Sequence, residues 1–222
     1  MASKVSVASD NPMTEPPQTR GLARDLLLAA ASDIMRERDS LELSLSDIAN
    51  RAGVNSALVK YYFGNKHGLL LALLERDLAI AIEQLQGLVR MSISPTRKMR
   101  AHLSGVVKIY FQFPYLNRLS VELLRDADIK VAQRIADRFL RPIYDAYTQM
   151  INEGVAAGEF QYVDPKLFYF MVIGACDQIF TARFVLKYVH GEEMVIDDKL
   201  RRTYADHVTL LIMEGLKAPV LP

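Results

Sequence analysis

The stretch that decides the fold is SLSDIANRAGVNSALVKYYFGNKHGLL, residues 44–70. Ser44 and Asp47 form an S-x-x-D pattern ahead of apolar residues, which predicts the start of a short helix. That helix ends at Gly53, because glycine readily adopts the left-handed conformation in which a chain leaves one helix and turns into the next. The pattern predicts two short helices joined by a tight turn.

Two asparagines mark the starts of the helices that follow. Asn55 is a capping residue for a helix over residues 56–62, and Asn65, after a break at Gly64, caps a long helix that begins near Lys66. A helix, a tight turn and a second helix can place that second helix in the major groove of DNA. The same geometry also occurs in purely structural helical hairpins, so the side chains have to decide between the two.

The helix over residues 56–62 has one apolar and one polar face. Val59 and Phe63 lie four residues apart and are expected to face a core. The residues predicted to point outward are Ser56, Ala57, Lys60 and Tyr61, with Tyr62 at the edge. Small residues allow close approach to base edges, lysine reaches phosphate or guanine, and tyrosine hydroxyls can donate to phosphate oxygens. Ordinary half-burial is the alternative for each tyrosine.

Charge along the chain favours a local positive surface. The 222-residue chain has 27 Lys and Arg against 26 Asp and Glu, a formal net charge of +1. No acidic residue occurs between Asp47 and Glu75, whereas Arg51, Lys60 and Lys66 all lie in that window. Because binding to a polyanion depends on such a patch, the window indicates a surface that meets DNA.

The 44–70 stretch resembles the DNA-binding region of the TetR family of bacterial regulators. The resemblance covers roughly residues 20–74 in continuous order: a first helix, the DIA helix, AGV, a short helix ending in Phe, and a spaced lysine. Family members usually have an aromatic residue where this chain has Lys60, and commonly a histidine at Tyr62. The resemblance implies DNA contacts from Ser44, Asn55, Ser56, Ala57, Lys60, Tyr61, Tyr62 and Lys66.

Apolar residues recur at helical spacing along nearly the whole chain, which predicts an all-α protein of about nine helices. In the first helix, Leu22, Leu26, Ala30 and Ile34 are expected on the apolar face. Pro142 is expected to kink the helix over residues 128–157. The predicted helices are 19–38, 45–53, 56–62, 66–91, 95–113, 115–125, 128–157, 165–189 and 198–214. We expect a disordered tail over residues 1–17, a helix-turn-helix DNA-binding domain over 18–66, and a helical ligand-binding and dimerisation domain over 67–222.

The last two predicted helices suggest a dimer interface. The helix from Pro165 is apolar on nearly every face, as expected for a helix covered by its own core and by a partner together. The last helix carries Leu200, Tyr204, Val208 and Leu211 on one stripe. These helices are predicted to pair with their symmetry mates in a homodimer; burial within one chain is the alternative.

A ligand pocket is predicted near the kinked helix, although an aromatic stripe is more often core than cavity. Asp177 and Arg183 could orient a ligand, or could pair with each other or with a partner subunit. The candidate lining residues are Tyr110, Phe111, Phe113, Phe139, Tyr147, Met150, Phe170, Cys176, Asp177 and Phe180.

Other classes of protein find little support in the sequence. Cys176 is the single cysteine, so no intrachain disulfide or cysteine-based metal site is expected, and the compartment is expected to be the cytoplasm. No catalytic motif is present, so no catalytic residue, metal or cofactor is predicted. The expected function is a ligand-responsive transcriptional regulator, a repressor as in most of the family, binding a near-palindromic operator in double-stranded DNA and an unknown small molecule.

Two rival functions remain for the same residues. One is an all-helical small-molecule binding protein or enzyme with a structural N-terminal hairpin. The other is a helical adaptor that presents the surface around Lys60 to an acidic protein partner. Duplex DNA binding separates both from the main hypothesis.

Overall fold

The computed structural model describes residues 17–191 and 195–218, so the tail predicted over residues 1–17 lies almost wholly outside the described residues. The regular secondary structure of the described part is helical, apart from one isolated bridge between Phe160 and Lys217. The all-α prediction is confirmed. The helices are α1 Pro17–Arg38, α2 Leu45–Ala52, α3 Ala57–Phe63, α4 Lys66–Arg90, α5 Pro95–Gln112, α6 Leu116–Asp126, α7 Ile129–Ile135, α8 Arg141–Ala156, α9 Pro165–Thr181, α10 Arg183–His190 and α11 Asp198–Leu216.

The first three helices form a small unit around α1. Ser44 Oγ accepts a hydrogen bond from the Asp47 N–H at 3.0 Å, as the capping pattern predicts. Gly53 ends α2 at φ 67°, and its N–H donates to carbonyls of the last turn. The side chains of Ile48 in α2 and Val59 in α3 are fully buried. Helices α2 and α3 both pack against α1.

The apolar face predicted for α1 is wrong at its N-terminal end. Leu22 and Leu26 are exposed, whereas Ala23 and Leu27 are buried together with the predicted Ala30 and Ile34. The error arose because steps of exactly four residues drift around a helix that has 3.6 residues per turn. The buried stripe therefore runs one position away from the predicted one over the first two turns.

Helix α4 connects the N-terminal helices to the rest of the chain. It packs against α1 and α3 and also against α5, α6 and α8. Asn65 caps it, with Asn65 Oδ1 accepting from the Gly68 N–H at 2.9 Å. One helix therefore contacts both parts of the molecule.

The helix predicted over residues 128–157 contains a π-helical segment. Helices α7 and α8 join without a break through Ala136–Leu140, whose backbone is π-helical. Pro142 lies two residues after this segment and has no N–H to offer the carbonyl four residues earlier, which accounts for the irregular turn before it.

A break at Ala182 divides the helix predicted over residues 165–189 into α9 and α10. The two helices are bent by 58°, and counting α7–α8 as one, the described residues form ten helices where about nine are predicted. Neither Gly nor Pro lies at the break, so the sequence carries no local signal for it. Within the described ranges no single helix is long and apolar enough to span a membrane; only the bent pair of α9 and α10 reaches that length and composition.

Candidate DNA-binding surface and ligand cavity

The outer face of α3 is formed by the residues that the sequence predicts. Ser56, Ala57 and Lys60 are exposed, and 45% of the Tyr61 side chain is accessible. Tyr62 is half-buried and its ring lies edge-on to Tyr61, with 5.0 Å between centroids. This face combines small residues near the helix start with a cation and an aromatic ring later. It can approach a groove closely at one end and reach the phosphates at the other.

Turn and cap geometry holds α3 in place. Asn55 Oδ1 accepts from the Ala57 N–H at 2.8 Å, and Gly64 ends the helix at φ 73°. The guanidinium carbon of Arg24 lies 5.5 Å from the centroid of the Phe63 ring, a cation–π contact that ties the end of α3 to α1. The amide nitrogen of Asn55 remains able to donate to an acceptor outside the protein, whereas Ser44 Oγ also lies 3.0 Å from Ser46 Oγ.

Lys60 and Lys66 provide the positive charge of the surface formed by α3 and the start of α4, and Arg51 does not. Arg51 is paired with Glu37 of α1 through two hydrogen bonds of 2.8 and 2.5 Å. Hydrogen bonding in this pair raises the pKa of Arg51 and lowers the pKa of Glu37. Lys60 and Lys66 form no ion pair with any described residue. Arg51 is therefore neutralised within the protein, which the acid-free window of the sequence does not reveal.

The N-terminus of α4 adds an anion-binding position to the surface. Asn65 caps the Gly68 N–H, while the N–H groups of Lys66 and His67 have no acceptor within the described part of the chain. Unpaired N–H groups and the helix dipole favour an anion at this position. The ammonium group of Lys66 lies at the same end, so the arrangement suits a DNA phosphate.

A cavity of about 570 Å³ lies between α4 and α5. Helix α6 contributes Leu116, α8 contributes Ile143 and Tyr147, and α9 contributes Ile173. Three of the ten predicted pocket residues line this cavity: Tyr110, Phe113 and Tyr147. The volume lies in the range of small-molecule sites.

The other seven predicted pocket residues lie elsewhere in the structure. Phe139, Met150, Cys176 and Asp177 are buried and do not border the cavity. Phe111 and Phe180 line a separate crevice of about 420 Å³ beside α1, and Phe170 is 71% exposed. Burial raises the pKa of Cys176 to about 12, which is consistent with an unreactive thiol.

Two buried polar residues, His102 and Asp77, line the cavity and are not among the predicted pocket residues. Nε2 of His102 is 2.9 Å from the hydroxyl oxygen of Tyr147, and burial lowers the pKa of His102 to about 4. The imidazole is therefore neutral at pH 7. The sequence could have indicated that His102 is buried, because it lies between Met99 and Leu103. Both of these residues are fully buried and define the inner face of α5.

Asp77 links the cavity to α1 through a buried chain of hydrogen bonds. The Tyr115 hydroxyl donates to Asp77 Oδ2 at 2.6 Å, and Ser32 Oγ lies 2.7 Å from the same hydroxyl. Because Tyr115 has one hydroxyl hydrogen, Ser32 is the donor in the second bond. Burial raises the pKa of Asp77, against the lowering effects of Tyr115 and of Arg76, whose Nη2 lies 2.7 Å from Asp77 Oδ1.

A second connection joins the end of α1 to the C-terminal helices. Asp39 has φ 49° and forms an ion pair with Arg118, while its other carboxylate oxygen lies 3.6 Å from Arg183 Nε. Asp177 accepts from Asn117 at 2.9 Å. The pair of Asp177 with Arg183 that the sequence left open is therefore not formed.

The predicted stripe on α11 faces largely inward. Val208 is 6% exposed, Leu200 and Tyr204 are half-buried, and the Tyr204 hydroxyl donates to the Ala175 carbonyl oxygen. Leu211 is 72% exposed, and the neighbouring Leu210 is also exposed. The uncovered apolar surface of α11 is thus displaced towards its C-terminal end.

Comparison with known proteins agrees with this geometry. Residues 27–73 match the family described as bacterial regulatory proteins, tetR family, and residues 92–221 match the tetracyclin repressor-like C-terminal domain. The HTH-type transcriptional regulator RutR of Escherichia coli K12 is 23% identical over 192 residues, covering 86% of this chain and 89% of RutR.

Solved structures share the fold. A tetR-family regulatory protein from Rhodococcus RHA1 superposes with a TM-score of 0.71 at 16% identity, over 89% of this chain and 98% of that one. The regulator FadR from Bacillus subtilis, solved in complex with stearoyl-CoA, gives 0.65 at 19% identity over 86% and 98% of the two chains. The C-terminal match alone covers more than half of the chain, and it adjoins a matching DNA-binding region. The chain therefore belongs to the TetR family and is a helix-turn-helix transcriptional regulator.

Proposed function

We propose that this protein is a repressor that binds a near-palindromic operator as a homodimer and leaves it when a small molecule occupies the cavity between α4 and α5. The observation that carries the proposal is the exposed face of α3 beside the uncapped N–H groups at the start of α4. Ser56, Ala57 and Tyr61 would meet base edges, while Lys60 and Lys66 would meet phosphates.

The remaining proposed DNA contacts come from the edges of this surface. Asn55 would donate to a phosphate oxygen through its amide nitrogen, and Ser44 would do so through its hydroxyl when Ser46 is the donor in the bond between the two serines. Tyr62 would contribute its hydroxyl group, because its ring is half-buried against the core. These three residues are expected to position α3 rather than to read sequence.

An exposed apolar surface on α9 and α11 supports a dimer. Leu167, Phe170 and Met171 on α9 are exposed, as are Leu210 and Leu211 on α11. The two helices are in contact with each other. Large uncovered apolar patches are unusual on monomers, and a two-fold pairing of α9 and α11 would cover this one. Of the four residues predicted for this interface, Leu211 is the one we retain as a central contact.

Two connections provide a route from the cavity to the DNA-binding helices. One is the Asp77–Tyr115–Ser32 chain, and the other is α4, which lines the cavity and carries Lys66 at its start. A ligand that shifts α4 or Asp77 would move α1 and α3 together. For release, the ligand must bind more tightly to the arrangement in which the two α3 helices no longer match successive major grooves.

Salt-dependent binding to duplex DNA tests the proposal. The protein is expected to bind random duplex at low salt, and Lys66→Ala should reduce the slope of log K against log salt by about one for each bound protomer. Lys199→Ala, at an exposed lysine on α11, is the matched control and should leave the slope unchanged. Equal slopes for the two variants would contradict the phosphate contact, and absence of binding by the folded protein would contradict DNA recognition by this surface.

A further inference from the structure

The lining of the cavity extends along two helices. It runs along α4 from Arg76 to Leu88 and along α5 from Ala101 to Gln112. At 1.5 Å per residue each of these segments is about 18 Å long. Gly105 of α5 lines the opening, and no atom lies within 4 Å of the position that a Cβ would occupy there. An extended ligand could therefore lie along the space between the two helices.

The interior of the cavity offers no unpaired charge. Its walls are mainly aliphatic, with Leu78, Ile82, Leu85, Val106, Ile109 and Ile143 among the lining residues. His102 is neutral and bonded to Tyr147, and Asp77 is held by Arg76 and Tyr115. A charged group placed there would lose its hydration without gaining a partner. The interior therefore suits the apolar part of a ligand.

The rim of the cavity carries one unpaired positive charge. Arg76, Asp77 and Lys108 are the charged lining residues, and the first two form an ion pair. Lys108 is exposed and makes no ion pair with a described residue. The cavity thus has a net charge of +1 that is located at its edge, where a hydrated anionic group can reach it without being buried.

We propose that the cavity binds a single-chain amphiphilic anion, with the apolar chain between α4 and α5 and the anionic head at Lys108. This inference rests on the proposed function, because it assigns the ligand class of the same cavity. A long-chain carboxylate and a long-chain acyl thioester with a phosphorylated head share this chemistry. The two differ in the number of charges that would lie near Lys108.

Direct binding of stearate and of uncharged stearyl alcohol tests the assignment, measured by titration calorimetry below the concentration at which either aggregates. Stearate should bind wild-type protein once per protomer. Lys108→Gln should weaken stearate binding about three- to five-fold, as expected for one exposed charge pair, and leave the alcohol unaffected. Arg100→Gln, at an exposed cation on α5 outside the cavity lining, is the control and should change neither ligand.

Occlusion of the opening tests the location. Gly105→Leu should reduce stearate affinity at least ten-fold, whereas Gly87→Leu, at a glycine of α4 outside the lining with equally open surroundings, should not. Tighter binding of stearoyl-CoA than of stearate would identify the phosphorylated thioester as the preferred form, and equal or weaker binding would identify the free acid.

Three results would overturn the assignment: no stearate or stearoyl-CoA binding to wild-type protein, unchanged binding by Gly105→Leu, or equal loss of stearate and alcohol affinity in Lys108→Gln. DNA affinity measured on the same samples separates this failure from failure of the proposed function. DNA binding without amphiphile binding rejects only the ligand class. Amphiphile binding that leaves DNA affinity unchanged retains the ligand class and rejects release by ligand.

Discussion

Gly68 lies where the end of α3 meets the start of α4, and replacement by alanine should separate the two helices. A Cβ at this position would lie 3.2 Å from the carbonyl carbon of Phe63 and well inside the 3.0 Å contact limit to its oxygen. The obstructing atoms belong to the backbone, so no side-chain rotation relieves the contact. Either the last turn of α3 or the first turn of α4 has to move.

The loss of stability in Gly68→Ala is best compared with a matched glycine substitution in the same helix. Overpacking of this kind lowers the free energy of unfolding by about 1–3 kcal/mol, whereas replacing glycine by alanine within a helix raises it by about 0.5–1 kcal/mol. Gly87→Ala, also in α4, meets no atom within 4 Å and should show the favourable effect alone. For a chain of this size 1 kcal/mol corresponds to about 2–4 °C in Tm. Gly68→Ala should therefore melt several degrees below Gly87→Ala.

Calorimetric melting and DNA binding by fluorescence anisotropy together check this prediction. Because the shift displaces Lys66 relative to Lys60 and Tyr61, Gly68→Ala should also lose at least ten-fold in DNA affinity at a temperature where it is folded. Gly87→Ala should bind as wild type does. Equal melting temperatures and equal DNA affinities for the two variants would refute the packing argument at the α3–α4 junction.

Three further predictions concern the interior and the dimer surface. Tyr115→Phe removes the donor to Asp77 Oδ2, while Arg76 still holds Oδ1, and should cost about 1–3 kcal/mol in urea unfolding; wild-type stability would show that the chain to α1 contributes nothing. The folded-state pKa of His102 is about 4, below the usual 6.5, so its contribution to stability is complete above pH 6.5 and is lost as pH falls towards 4. The free energy of unfolding should fall by about 3 kcal/mol over this range, and His102→Gln should remove this dependence on pH. An unchanged dependence in the variant would contradict the role given to His102. Phe170→Glu should convert the proposed dimer to monomer in sedimentation equilibrium, and a dimer of undiminished stability would place the interface elsewhere.

The sequence predicts the DNA-binding region well because its signals are local. Ser44, Gly53 and Asn65 each act within one helical turn, and the structure has the caps and the left-handed glycine where the sequence predicts them. The exposed face of α3 follows from the burial of Val59. Capping and helical periodicity therefore determine which residues of α3 point outward.

Prediction of the cavity was weaker because a cavity depends on contacts between distant helices. The prediction relied on aromatic residues, yet the aromatic side chain of Phe139 fills the core, and the space lies where α4 and α5 carry smaller aliphatic residues. The pairing of Arg51 with Glu37 was missed for the same reason, since its partner lies 14 residues earlier on another helix. The break at Ala182 had no Gly or Pro to mark it.

Selection of bound sequences from a randomised duplex pool tests the central claim most directly, because it asks whether the α3 surface reads DNA as a symmetric pair. The structure and the family predict enrichment of a near-palindrome whose half-sites lie about one helical turn of DNA apart, or a multiple of it. The same selection with Tyr61→Ala should relax the preference at particular positions within each half-site. Enrichment of a single asymmetric site, or no enrichment by folded, ligand-free protein at low salt, would contradict the account.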